Sequence, residues 1–127
     1  MPIITIESSV PLADHERGTA LRTLVAAAND MLAITPPTQL RLRIADVDVE
    51  TIAVGDVTAS NDEPWIVAFC NVLAGRSDAQ IEAFLSDFAA TIASVFRIDV
   101  AKVRILVQTY PKQAWGIGRR SAAAVGR

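Results

Sequence analysis

Two stretches of this chain carry the same order of patterns, and that repetition most narrows what it can fold into. The first opens with a run of β-formers, PIITIE at 2–7. From about 12 to 32, Leu21, Leu24, Val25, Ala28 and Leu32 recur at i, i+3 and i+4 spacing, which builds one apolar helix face. The pair Pro36-Pro37 stops that helix. QLRLRI at 39–44 then alternates, with Leu40, Leu42 and Ile44 on one face and Arg41 and Arg43 on the other. The second stretch restarts with WIVAFCNVLA at 65–74. Ser77 followed by Gln80 is a capping-box signature. Behind it, Ile81, Phe84, Leu85, Phe88, Ile92, Val95 and Phe96 form a helical stripe, and KVRILVQ at 102–108 closes the unit. The chain reads as two tandem β-α-β units, about 2–54 and about 64–120, within a single domain spanning 1–127. The expected class is α+β, with one four-stranded sheet and two helices on one face.

Two helices cover only one side of such a sheet. Strand 65–74 is apolar at almost every position, so both of its faces are expected to be buried. Further copies of the chain are the natural cover for the second face, which implies an oligomer. The ordinary alternative is a central strand buried within a monomer.

Composition bounds the rest. With 127 residues, 51% of them hydrophobic and 20% charged, the chain can bury a core and does not read as disordered. A net charge of −2 argues against a nucleic-acid partner, although Arg119, Arg120 and Arg127 make the C-terminal end mildly basic. Cys70 is the only cysteine, which rules out an internal disulfide and fits a reducing compartment. No leader precedes Pro2 and no apolar run reaches membrane-spanning length, so a cytoplasmic protein without a membrane partner is expected.

Pro2 has two readings. Proline has no backbone N–H to donate and suits the first residue of a strand. Once Met1 is removed, it also carries a free secondary amine at the end of the chain. Other marked segments lie in the second unit: AGRSDAQIEAF, with Arg76 just ahead of the helix cap; Arg104 within VRILV; and YPKQAWGIGRR, where Gly116 and Gly118 suggest a tight turn behind Trp115. Taken in this order and spacing, with a proline behind the initiator methionine, these segments resemble the tautomerase superfamily typified by 4-oxalocrotonate tautomerase. The resemblance is to its fused, two-unit form and spans nearly all of the chain. Fused relatives of this kind include malonate semialdehyde decarboxylases and cis-3-chloroacrylic acid dehalogenases. The implied fold is the one shared with macrophage migration inhibitory factor.

The resemblance implies roles that physical chemistry supports. Pro2 and Arg76 are the implied catalytic residues. A buried amine near arginines is disfavoured as a cation, so its pKa falls. A neutral amine is then a usable general base near physiological pH. Arg76 would hold a substrate carboxylate or polarise the carbonyl that becomes an enolate, through its bidentate fork. Arg104 would supply a second anchor, and Trp115 would wall the pocket against water. Each of these three has an ordinary reading as a surface arginine or a core indole. No cofactor and no metal are implied. The expected partners are a small carboxylate substrate and two further copies of the chain in a homotrimer.

The two units differ where the chemistry lies. Leu12 holds the first-unit position that matches Arg76, and Pro64 and Trp65 lie inside the chain where a second terminal proline would be needed. One active site per chain is therefore expected, from Pro2 of the first unit with Arg76, Arg104 and Trp115 of the second. The decarboxylases place an aspartate after PPT, where this chain has Gln39. The cis-type dehalogenases carry a histidine near the end of the first helix, where this chain has Asn29. Both residues are read here as substrate-contacting. A dehalogenase glutamate falls at Ile117, and the paired arginines of those enzymes are reduced to Arg76 preceded by Leu73 and Ala74. Water-adding chemistry needs an acidic side chain that activates water, so it is disfavoured. The preferred reading is keto–enol tautomerisation of a 2-oxo or 2-hydroxy-dienoic acid of the phenylpyruvate or 2-hydroxymuconate type. The alternatives are a decarboxylase, a hydratase or dehalogenase, or a non-catalytic trimeric interaction protein. His15 reads as solvated, Cys70 as a packed apolar side chain, and Asp46, Asp48 and Glu50 as a solvated edge.

Overall fold

The computed structural model describes residues 2–127. The first unit runs β1 (Ile3–Ser8), α1 (Asp14–Leu32), β2 (Arg41–Asp46) and a small hairpin of β3 (Ala53–Val54) and β4 (Val57–Thr58). The second runs β5 (Ile66–Leu73), α2 (Asp78–Phe96), β6 (Val103–Tyr110) and a matching hairpin of β7 (Gly116–Ile117) and β8 (Arg120–Ser121). The four long strands form one sheet in the order β2-β1-β5-β6. Each β-α-β unit pairs its own strands in parallel, and the units join antiparallel through β1 and β5. This is the expected α+β architecture.

Period-two alternation decides which face each strand residue takes. Ile4 and Ile6 of β1, and Ile66, Ala68, Cys70 and Val72 of β5, are buried in the main core. Helix α1 adds Leu24, Ala28 and Leu32, and α2 adds Phe84, Phe88, Ile92 and Phe96. Phe84 and Phe88 stack with centroids 5.0 Å apart. Burying side chains of this size contributes about 1.5–3 kcal/mol each. The start of α2 is set by the expected box: Ser77 Oγ accepts the Gln80 N–H at 3.1 Å, and Gln80 Oε1 accepts the Ser77 N–H at 2.8 Å.

Helix α2 has a mean hydropathy of 1.2 and is long and apolar enough to match a membrane span by composition. That corrects the expectation that no apolar run reaches such a length. Its aromatic stripe is buried against the sheet and α1, so it serves as the core helix. A second correction concerns the open face of β5. The chain itself covers part of it, because Trp115 and Ala122 pack on Leu73. What stays exposed is a central patch of Ile3 (45%), Phe69 (37%) and Leu106 (52%).

The repeat extends to the turns. Both helices have 19 residues, and aligning Asp14 with Asp78 sets Leu12 against Arg76 and Pro2 against Ile66. The sheet register, Ile3 to Arg41 and Val67 to Arg104, sets Arg41 against Arg104. Their side chains repeat one contact as well. Arg41 Nη1 donates to the Thr38 carbonyl at 2.9 Å, and Arg104 Nη1 donates to the Ala101 carbonyl at 2.8 Å.

Candidate active site

Because β5 runs antiparallel to β1, the start of β1 lies beside the ends of β5 and β6. Ile3 pairs with Asn71, and Leu73 pairs with Tyr110. Pro2, one residue earlier, is fully buried. Its carbonyl accepts the Arg41 N–H at 2.9 Å, which anchors the strand start without needing a proline N–H. Removal of Met1, which a free Pro2 amine requires, concerns a residue outside those described.

Arg76 reaches the same end of the sheet. The chain turns out of β5 through Ala74 and Gly75, whose φ of 132° lies in a region that side chains disfavour. Arg76 then stands one residue before the α2 cap. Its Nη1 donates to the Leu73 carbonyl at 3.3 Å and its Nη2 to the Leu32 carbonyl at 3.0 Å. Partial burial pushes the guanidinium pKa below its usual value, and an arginine still keeps its charge there. Of its five N–H donors, two are used in these bonds, and three remain for an anion. Arg76 thus ties the last turn of α1 to the end of β5 while keeping binding capacity.

Trp115 follows a short turn behind β6. It is buried against Leu73 and Ala122, and its indole meets the Tyr110 ring edge-on with centroids 5.6 Å apart. Gly118, at φ 60°, makes the β7–β8 turn that folds Ala122 back under the indole. Beside Trp115 lies a cavity of about 320 Å³, lined by Ile3, Asn71, Tyr110, Ala114, Trp115 and Gly116. The structure therefore brings Pro2, Arg76 and Trp115 to one end of the sheet.

Arg104 is not among them, which corrects the placement of all four residues within one chain. Its register partner is Val67, four residues along β5 from Asn71. At about 3.4 Å per residue, that is roughly 13 Å away. The physical reason is the antiparallel union of the units, which sends the start of β6 to the opposite end from the start of β1. Arg41 occupies the equivalent place beside Pro2. From the sequence it was visible only as the polar side of an alternating strand; aligning LRL at 40–42 with VRI at 103–105 is the signal that finds it.

A larger cavity, about 590 Å³, lies at the opposite end, lined by Arg104, Trp65, Phe69 and Leu106 among others. Volume alone would favour it. By the repeat, however, that end has Ile66 in place of Pro2 and Leu12 in place of Arg76, so it lacks both base and anchor. Trp65 also turns its Nε1 onto Glu7 at 3.1 Å. The smaller cavity lies at the end that has Pro2 and Arg76, although neither residue lines it, and is the better candidate.

Asn29 lies in the last turn of α1 and Gln39 in the short turn before β2, and neither lines the cavity beside Trp115. Asn29 Nδ2 donates to the Pro37 carbonyl at 3.4 Å, and its Oδ1 is buried without a partner. Cys70 is buried and its thiol is pushed up to about 12, so it is no nucleophile.

No family model matches the chain. A 2-hydroxymuconate tautomerase of Stutzerimonas stutzeri is 34% identical over 61 residues, 48% of this chain and 97% of the relative. One of Pseudomonas putida is 32% identical over 56 residues, 44% of this chain and 89% of the relative. Each relative thus has about half of this chain's length. Among solved structures, a native fused 4-OT has 25% identity and a TM-score of 0.85, covering 98% of this chain and 99% of its own. A fused 4-OT asymmetric trimer has 24% identity and a TM-score of 0.88 over the same shares. With relatives matched along almost their whole length and a two-unit structure matched along nearly all of this one, the chain belongs to the tautomerase superfamily, in its fused form.

Proposed function

We propose that this protein is a keto–enol tautomerase in which the Pro2 amine is the general base. The substrate is a 2-oxo or 2-hydroxy-dienoic acid of the phenylpyruvate or 2-hydroxymuconate type. The observation that carries this reading is the convergence of Pro2, Arg76 and Trp115 on one end of the sheet, in a chain whose relatives are tautomerases. Pro2 takes a proton from the enol oxygen or the adjacent carbon and returns it at another position. Arg76 holds the carboxylate and draws negative charge as the enolate develops. Trp115 keeps water out. No carboxylate lines the cavity, which weakens the decarboxylase and hydratase readings, since both need an acid to manage water or a leaving group. A panel of enol acids followed by ultraviolet absorbance tests the proposal. Ketonisation at catalytic rates is expected, and a chain inert toward every member would favour a non-catalytic interaction protein.

The working form is proposed to be a homotrimer. The exposed patch of Ile3, Phe69 and Leu106 needs cover, and a related fused protein is trimeric. Arg104 then acts on Pro2 of another chain, since it cannot reach its own. Light scattering at micromolar concentration should give a mass near three chains. A stable monomer would remove both the trimer and that role for Arg104.

A further inference from the structure

We infer that the basic C-terminal turn of one chain docks on the acidic first-unit hairpin of the next, head to tail. The inference rests on the homotrimer reading and adds an orientation to it. Residues 46–63 carry six acidic side chains and no lysine or arginine, whereas residues 111–127 carry four basic ones and no acid. These segments close opposite ends of the sheet. Asp46 ends β2, and Glu63 shares a cavity with the β3–β4 hairpin and Arg104. Lys112 and Arg120 belong to the turn that holds Ala122 under Trp115, at the end that has Pro2.

The fold does not impose this separation. The two hairpins are equivalent by the repeat, and Asp56 follows Gly55 where Arg119 follows Gly118. A turn built on a left-handed glycine is indifferent to the charge behind it. Asp46 and Glu63 are paired within the chain, with Arg17 and Lys102. Asp56, Asp62, Lys112 and Arg119 are exposed and make no ion pair within the chain among the described residues. Their opposite signs are left for a partner, and this chain carries both halves of the match. The apolar patch of Ile3, Phe69 and Leu106 gives cover without direction, and charge decides which ends meet. If Arg104 reaches Pro2 of another chain, the acidic end must face the partner's basic end. Asp56 and Asp62 then offset the repulsion between Arg104 and the partner's Arg76. Such a contact, repeated, closes a ring in which every site is alike. Reversing one chain would set basic against basic at one junction and acidic against acidic at another. The Pro2 sites at the first of these would lack Arg104.

The test mixes trimers bearing two distinguishable tags and follows subunit exchange, with light scattering to confirm mass. Between about 0.05 and 0.5 M NaCl, exchange of wild type should speed up by about tenfold, as exposed charges are screened. Asp56→Asn with Asp62→Asn, and Lys112→Gln with Arg119→Gln, should each speed it by about tenfold at low salt, because lost contacts act mostly on dissociation. Both should lose most of the salt dependence, with circular dichroism unchanged. A chain with its ends exchanged in sign (Asp56→Lys, Asp62→Lys, Lys112→Glu and Arg119→Glu) should return to within about threefold of wild type. Exchange indifferent to salt and to both neutralised pairs overturns the inference. So does slower exchange on neutralisation, which marks like ends meeting, or a folded sign-exchanged chain that does not recover. A monomer under every condition sinks the homotrimer reading itself, whereas a trimer indifferent to charge sinks the orientation alone.

Discussion

Arg76→Ala should lower kcat/KM for enol acids by about 2–4 kcal/mol of transition-state stabilisation, or roughly thirtyfold to a thousandfold. Two terms contribute. The charged, bidentate anchor for the carboxylate goes, and so does the donor that draws charge onto the developing enolate oxygen. Arg76→Lys should recover only part of the loss, since an ammonium is a point charge and cannot reproduce the planar fork. The hydrogen bonds from Arg76 to the Leu32 and Leu73 carbonyls add a structural effect, of about 1 kcal/mol per bond. Urea unfolding of each variant separates the two. A small drop in midpoint with a large drop in kcat/KM is the expected combination. If both variants match wild type in rate, Arg76 is a surface tie between α1 and β5 and nothing more.

Much of the fold was legible because each element was encoded locally. The α2 stripe and its Ser77–Gln80 box specify one helix with little ambiguity, and both appear as expected. The hairpin at 53–58 is weakly encoded, although Gly55 with φ 65° repeats the role of Gly118. Its sequence, AVGDVT, is short and sits among exposed acidic residues, so the turn signal had little flanking alternation to support it. The candidate site was legible only in part, for a topological reason. Pro2 and Arg76 lie far apart in the sequence and come to the same end of the sheet because β5 runs antiparallel to β1, and periodicity does not report strand direction. The same pairing carries Arg104 away from Pro2.

The largest effect should come from Pro2. Its ring is fully buried at the strand start, a setting that disfavours a cation, and Arg76 adds positive charge at the same end of the sheet. The free amine should therefore titrate below an ordinary proline amine. The sign follows from its role: the base must be neutral, so kcat/KM should rise with pH through a single pKa and level off above it. Pro2→Ala, once processed, keeps a primary amine in nearly the same place and should be slower without being dead. An extra residue ahead of Pro2 is more damaging, because an amide nitrogen cannot accept the proton.

The measurement that bears most directly on this account compares two forms of the chain on one enol substrate: one confirmed by intact mass to begin at Pro2, the other carrying an uncleavable N-terminal extension. The processed form should ketonise the substrate, and the extended form should fall by about a hundredfold to ten-thousandfold, the range for a lost general base, with the same fold and mass in solution. Equal rates would contradict the account and leave Pro2 as the first residue of a strand.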